Sequence, residues 1–142
     1  EPGEAVVLDS GILIGEIIDC FKPNNISSPQ IAITDISATC HIPDVIEAPY
    51  RPALLNEPDY GHEIVIGGPS CLAGDIIGQY KFEKIPQVGD RIAFLDQAHY
   101  TMVKTSFFNG VKLPSIAVWD SEKNDIEIIK QFSYNDYENR LS

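Results

Sequence analysis

Short apolar runs rich in β-branched residues recur along this chain, and each is cut off by glycine, proline, asparagine or aspartate. That punctuation constrains the fold more than any other feature, because it leaves strands of ordinary length and little room for long helices. Residues 6–8, 11–20, 30–39, 62–66, 76–82 and 91–95 read as strands. The run from Gly11 to Cys20 is too β-branched and too glycine-bounded for a good helix. Residues 30–39 alternate, with Ile31, Ile33, Asp35 and Ser37 against Ala32, Thr34, Ile36 and Ala38. Residues 116–119 and 125–130 bracket Ser121-Glu122-Lys123-Asn124 as a hairpin. Residues 23–29 form a loop, and the prolines of residues 42–52 leave one helical turn at most, around Asp44-Val45-Ile46-Glu47. Val88-Gly89-Asp90 and Phe107-Phe108-Asn109-Gly110 read as turns, residues 96–101 as a loop or single helical turn, and residues 134–141 as a short C-terminal helix. The pattern predicts one all-β domain over residues 1–142, a sandwich or a barrel.

Charge and composition exclude some partners. A formal net charge of −11 argues against nucleic acid and is compatible with attraction of a cationic substrate. No apolar run is long enough to span a bilayer, so no membrane partner is expected. No basic signal segment opens the chain. The first residue is Glu1 rather than Met, and the expectation is of a fragment whose beginning is missing. Cys20, Cys40 and Cys71 are an odd, widely spaced set, which fits a reducing, cytoplasmic compartment rather than a disulfide framework. Asn25-Ile26-Ser27 matches a glycosylation sequon, read as chance where nothing signals secretion.

Among candidate chemistries, Gly67-Gly68-Pro69-Ser70-Cys71-Leu72-Ala73-Gly74-Asp75 stands out. A predicted strand ends there in a tight turn that holds a thiol and a carboxylate among small residues. Such a loop presents a reactive group at a fixed position, or it simply contains a buried cysteine. No metal is expected, because Cys20, Cys40, His41, His62, Cys71 and His99 lack metal-ligand spacing. A Cys–His nucleophile pair is possible on residue types alone, but no local signature accompanies it, and the three histidines read as ordinary polar or packing residues. Asp35, Asp44 and Glu47 form either a solvated acidic face or a cation site.

Several turn motifs occur in order: Glu1-Pro2-Gly3 before a strand, Gly68-Pro69-Ser70-Cys71 at a strand end, Asp96-Gln97-Ala98-His99-Tyr100-Thr101, and Phe108-Asn109-Gly110. This series resembles the C-terminal β-domain of the fold-type III, alanine-racemase-like pyridoxal-phosphate decarboxylases, which include ornithine, diaminopimelate and arginine decarboxylases. Glu1-Pro2-Gly3-Glu4-Ala5, residues 43–52, Cys71-Leu72-Ala73-Gly74-Asp75 and the ending at residues 134–141 look like the branch that acts on carboxynorspermidine and carboxyspermidine. The resemblance covers nearly the whole chain.

The resemblance implies a Greek-key-like β-barrel that works with an N-terminal (β/α) barrel absent from this chain, where the cofactor-bearing lysine resides. It implies pyridoxal 5'-phosphate as cofactor, a carboxylated polyamine precursor as substrate, norspermidine or spermidine as product, and a homodimer with active sites at its interface. Glu1 matches the carboxylate that pairs with the pyridine nitrogen, and Tyr100 the tyrosine that reaches the cofactor phosphate. Cys71 matches the cysteine donated across the interface, near the carbon to be reprotonated. Phe108 and Asn109 match a loop lining that interface, while Asp75 is expected to support the loop or the interface rather than touch substrate.

Two departures bear on these expectations. A phosphate-binding arginine follows Glu-Pro-Gly in ornithine decarboxylase, and here that position is Glu4. Leu72 stands where ornithine and diaminopimelate decarboxylases carry an acid that reads the distal end of the substrate. Asp44 and Glu47 are then the expected partners of a distal ammonium, Glu47 ahead of Asp44, with Tyr50 and Arg51 shaping the wall and Leu72 offering apolar contact. The rivals are another decarboxylase of the same fold (diaminopimelate, arginine or ornithine), a non-catalytic homologue that binds a partner protein, and an unrelated small-ligand β-barrel.

Overall fold

The longest strand, β1 (Ile12–Phe21), lies inside the main sheet of this computed structural model, which describes residues 1–23, 28–48 and 50–141. On one side β1 pairs antiparallel with β2 (Gln30–Thr34). On the other it pairs antiparallel with β5 (Arg91–Leu95), with Leu13 opposite Phe94. Next to β2 runs β3 (His62–Gly67), parallel to it, and β4 (Ile76–Phe82) pairs antiparallel with β3. The sheet order is β4-β3-β2-β1-β5, so the chain returns from β4 to lie beside β1, the expected Greek-key-like move.

The inward faces of these strands fill a single core. Leu13 and Ile17 of β1, Ala32 of β2, Ile64 and Ile66 of β3, Ile77 and Tyr80 of β4, and Ile92 and Phe94 of β5 pack together. Gly15 lies between the two inward side chains of β1. A Cβ there would come within 2.5 Å of the Ile36 side chain, so the glycine lets residue 36 close over the strand.

The sheet curls because residues 51–55 span its two edges. The Tyr80 hydroxyl of β4 donates to the Pro52 carbonyl at 2.9 Å, and Arg51 Nε donates to the Gln79 carbonyl at 2.7 Å. At the other edge, Leu55 N–H donates to the Ala93 carbonyl and Leu95 N–H to the Ala53 carbonyl, both at 2.8 Å. The all-β expectation therefore takes the form of a curled half-barrel whose edges are linked by an irregular segment.

Two expectations fail locally. Residues 6–8 are not a strand. Gly3–Val6 is a 3-10 turn, and Ser10 N–H then donates to the Val7 carbonyl while Asp9 adopts φ 58°. Three apolar residues are too few to hold a ladder against that turn chemistry. The run at 30–39 leaves the sheet after Thr34, although Ala32, Thr34, Ile36 and Ala38 are all buried as the alternation predicts. Asp35 Oδ1 accepts the Glu16 N–H at 2.8 Å, and Ser37 caps a helical turn, α1 (Ala38–His41). Side-chain bonds to backbone, from Asp35 to Glu16 and from Ser37 to the start of α1, displace the ladder here.

Other expectations hold. A single helical turn, α2, spans Asp44–Glu47, and another, α3, spans Tyr100–Val103. Strands β6 (Ile116–Asp120) and β7 (Asp125–Lys130) form the hairpin, and α4 (Tyr134–Leu141) follows. A cavity of about 900 Å³ separates Ala117, Trp119 and Ile126 of this hairpin from Ile12, Ile14 and Ile18 on the outward face of β1. The sequon at residues 25–27 lies outside the described residues. Among the described residues no helix is long and apolar enough to cross a membrane.

The register of β1 makes a direct prediction. Ile17 is fully buried, so Ile17→Ala should cost about 2–5 kcal/mol in chemical unfolding of the sheet domain. Ile14, on the opposite face, is 55% exposed, and Ile14→Ala should cost less than about 1 kcal/mol. Equal losses would contradict the register.

Candidate functional site

The loop at residues 67–75 is fixed from within by Asp75. This carboxylate is buried and accepts from Ser37 Oγ at 2.9 and 3.1 Å, from Ser70 N–H at 3.0 Å and from Thr39 N–H at 3.3 Å. Across the loop's base, Gly68 N–H donates to the Asp75 carbonyl at 2.8 Å. A side chain at Gly68 would collide with this carboxylate, since its Cβ would lie 2.5 Å from an Asp75 oxygen. The glycine is thus required by the close approach of the acid. Asp75 supports the loop, as expected, and its donors are all neutral.

Cys71 sits exposed at the loop tip. Its N–H donates to Asn109 Oδ1 at 2.8 Å. Asn109 lies in a 3-10 turn (Phe108–Gly110) with φ 61°, and Gly110 follows with φ 72°. Asparagine and glycine tolerate that left-handed backbone, which explains the Asn109-Gly110 pair. Leu72 and Phe108 are partly exposed, at 40% and 44%. The structure therefore brings Cys71, Asn109 and the turn bearing Phe108 together.

A second grouping surrounds Tyr100. A cavity of about 520 Å³ is lined by Asp44, Tyr50, Arg51, His99, Tyr100 and Lys104, among others. Lys104 Nζ reaches Asp44 Oδ1 at 2.5 Å and Glu47 Oε2 at 2.8 Å, and lies 5.5 Å from the centre of the Tyr100 ring. Those two carboxylates hold the Lys104 ammonium well above its ordinary range. Asp44 does not cap α2, where Pro43 occupies the cap position and no side chain bonds the helix end. Arg51 pairs with Glu57, and its guanidinium stacks 3.9 Å from the centre of the Tyr80 ring. Glu57 in turn is held below the usual carboxylate range by Arg51.

Glu1 is exposed at the chain start, and its segment is tied to the turn that leads into Tyr100. Asp9 N–H donates to Asp96 Oδ1 at 3.0 Å, and Gln97 N–H donates to the Gly11 carbonyl at 2.9 Å. Gly11 is required there, because a Cβ would fall 2.6 Å from Ala98 Cβ. The glutamate and tyrosine singled out from the sequence thus belong to segments that are hydrogen-bonded together.

Sequence reasoning missed Lys104 and the α1 residues Ser37 and His41. Lys104 lies 60 residues from Asp44 in the chain, and nothing local announces that pairing. His41 is buried, with Nδ1 accepting the Ser37 N–H at 3.1 Å and Nε2 lying 3.0 Å from the Lys112 carbonyl. The bond to Ser37 reaches back from the fourth helical residue to the cap N–H, one residue beyond the Glu or Gln of a capping box, so no sequence signature announces it. His62 is exposed, and His99 faces Asp96 Oδ2 at 3.4 Å. Among the described residues no cluster of three or more metal-ligating side chains occurs.

With this geometry in view, comparison with known proteins is informative. The family described as "Pyridoxal-dependent decarboxylase, C-terminal sheet domain" matches residues 5–98. A carboxynorspermidine/carboxyspermidine decarboxylase of Campylobacter jejuni is 39% identical over 96% of this chain and 38% of its own length. A carboxyaminopropylagmatine decarboxylase of Synechocystis is 42% identical over 99% of this chain and 36% of its own length. The crystal structure of the Campylobacter jejuni carboxynorspermidine decarboxylase complexed with norspermidine superposes with a TM-score of 0.88 at 38% identity. That match covers 97% of this chain and 40% of the other. The chain thus spans about two-fifths of the length of the relatives it matches.

The state of His41 gives a pH prediction. Burial pushes its ring below the ordinary value of 6.5, with the hydrogen bond to the Lys112 carbonyl and then Asp35 and Asp75 opposing that shift. Folding therefore favours the neutral ring. Its stabilisation is complete above 6.5 and is lost as pH falls from there toward the lowered folded value, because the unfolded chain takes up the proton first. The unfolding midpoint should drop between about pH 7 and pH 5, and His41→Gln should flatten that slope. An unchanged slope in the variant would contradict the neutral buried ring.

Proposed function

The chain belongs to the C-terminal sheet domain of the pyridoxal-dependent decarboxylases, and from that premise we propose that it is the sheet-domain part of a polyamine-pathway decarboxylase. The proposed reaction converts carboxynorspermidine or carboxyspermidine to norspermidine or spermidine. The observation that carries the reading is the near full-length likeness, in sequence and in fold, to a decarboxylase crystallised with norspermidine. The proposal includes pairing with an N-terminal barrel domain that bears the cofactor lysine, a homodimer with shared active sites, and a cytoplasmic location.

Glu1 and Tyr100 are the residues of this chain that would hold the cofactor. A carboxylate at Glu1 suits a protonated ring nitrogen, and the half-exposed Tyr100 phenol suits a phosphate oxygen. Pyridoxal phosphate, when bound, supplies the electron sink that lets a carboxylate depart as carbon dioxide. This chain's own contribution is different. Cys71 holds a proton at Sγ for delivery to the reacting carbon, and its loop is fixed by Asp75 and Asn109 so that the thiol is aimed before substrate arrives. Phe108 and Leu72 furnish apolar contact for the methylene chain and exclude water.

Charge arithmetic at α2 supports the distal site. Asp44 and Glu47 carry two negative charges and Lys104 one positive, which leaves a net −1 at α2, and Asp96 adds a further acid to the lining of the Tyr100 cavity. A distal substrate ammonium would share those carboxylates with Lys104 rather than find them vacant. Arg51, already paired with Glu57, shapes the wall without adding net charge.

The likeness to a carboxyaminopropylagmatine decarboxylase favours a second reading, in which the distal cation is a guanidinium. The test is steady-state carbon dioxide release by the complete protein. Carboxynorspermidine should give the higher kcat/KM, and a preference for carboxyaminopropylagmatine would install the second reading.

Two variants check the residue assignments. Cys71→Ala should lower kcat about 10²- to 10⁴-fold, the span for a positioned acid, with little change in cofactor affinity. Wild-type turnover would remove Cys71 from the chemistry. Glu47→Gln should raise KM for the triamine about tenfold, as loss of one partner of a charged pair does, while leaving cofactor binding alone. Unchanged KM in both Glu47→Gln and Asp44→Asn would place distal recognition elsewhere.

A further inference from the structure

Helix α1, with its cap Ser37, bonds both loops of the Cys71 grouping, and it does so through buried polar atoms. Toward residues 67–75, Ser37 Oγ and Thr39 N–H donate to Asp75. Toward residues 106–112 there are bonds on both sides of Asn109. Ahead of it, Ser106 N–H donates to the Cys40 carbonyl at 2.9 Å, and Cys40 Sγ donates to the Phe108 carbonyl at 3.3 Å. Behind it, the Lys112 carbonyl meets His41 Nε2 at 3.0 Å. The His41 ring has no freedom in this role. Its Nδ1 accepts from Ser37 N–H, so its single proton sits on Nε2 and points at Lys112.

We propose that His41 is a positioning residue for the reaction, fastening the far side of the Asn109 turn to α1 so that Asn109 Oδ1 holds the Cys71 N–H and aims the thiol. The proposal rests on the reading of Cys71 as the proton-holding residue. The turn needs such a fastening because its two positive-φ residues, Asn109 and Gly110, mark a reversal whose direction depends on its flanks. Cys40 secures the near flank alone, and with only one flank fixed the turn can swing about Phe108. His41 touches no candidate substrate or cofactor group. It acts through Lys112, Asn109 and Cys71 in that order.

Two substitutions separate its two bonds. In His41→Asn the short amide can still accept from Ser37 N–H but falls short of Lys112. In His41→Gln the longer amide can still donate to the Lys112 carbonyl but gives up Ser37. In the complete enzyme, His41→Asn should lower kcat about 10²-fold, the cost of a misplacement near 1 Å, with KM changed less than about twofold. His41→Gln should keep kcat within about threefold of wild type. Amide hydrogen exchange on the cofactor-free complete protein gives a readout independent of turnover. The Cys71 and Val111 amides should exchange faster in His41→Asn and as in wild type in His41→Gln. In a Cys71→Ala background, His41→Asn should add no further loss, since both lie on one line of action.

Equal losses in the two His41 variants, wild-type turnover in His41→Asn, or a loss that adds in full to that of Cys71→Ala would overturn the proposal. Should neither variant fold, Asn109→Gly keeps the turn's backbone while deleting its acceptor, and it must reproduce the kcat loss; full turnover there also overturns the proposal. If Cys71→Ala alone is fully active, the reading of Cys71 falls and takes this inference with it. If Cys71→Ala is impaired while His41→Asn is not, only this inference falls.

Discussion

The hydrogen bonds from Ser37 to the Asp75 carboxylate are the constraint on which the site depends. A carboxylate removed from water is costly unless donors surround it, and here every donor is a neutral group belonging to α1 or to the loop itself. Satisfying Asp75 therefore forces the 67–75 loop onto α1. The same Ser37 Oγ accepts the Cys40 N–H and caps the helix that Asp75 needs. Helix and loop each complete the other, and loss of α1 takes the Ser37 and Thr39 donors from a buried acid.

Around that joint the sheet supplies rigidity and little chemistry. Its inward faces are isoleucine, leucine, alanine and aromatic side chains, and the polar groups of interest sit at strand ends and in the connections. Cys71 follows β3, Tyr100 follows β5, and Asp44 and Glu47 lie in the long connection between β2 and β3. Residues on irregular segments can still be held firmly when their backbones bond to a packed frame. That is the case for the 67–75 loop through Asp75 and for the 96–98 turn through Asp9 and Gly11.

Much of this was legible in the sequence. The strand runs, the single helical turn at Asp44–Glu47, the hairpin and the terminal helix follow from β-branched content, alternation and turn residues. The order of the turn motifs, more than any single one, pointed to the family. What escaped was governed by long-range or side-chain-to-backbone bonds. Residues 35–38 alternate like a strand, yet Asp35 and Ser37 redirect the backbone, a choice that depends on Glu16 and Asp75 far away in the chain. Lys104 carries no local sign that it pairs with the two acids of α2. His41 reads from the sequence as an ordinary polar or packing residue, which it is, but nothing local shows that its ring bonds backbone on both sides.

Subunit mixing tests most directly the proposal that Cys71 of this chain serves an active site completed by another polypeptide segment. Complete subunits carrying Cys71→Ala are dissociated and reassociated with complete subunits that lack the cofactor-bearing lysine, and carbon dioxide release from carboxynorspermidine is measured. If Cys71 serves the site of its partner subunit, mixed dimers contain one intact site and the mixture releases carbon dioxide faster than either parent. A mixture no more active than its parents would contradict a Cys71 that works across the interface.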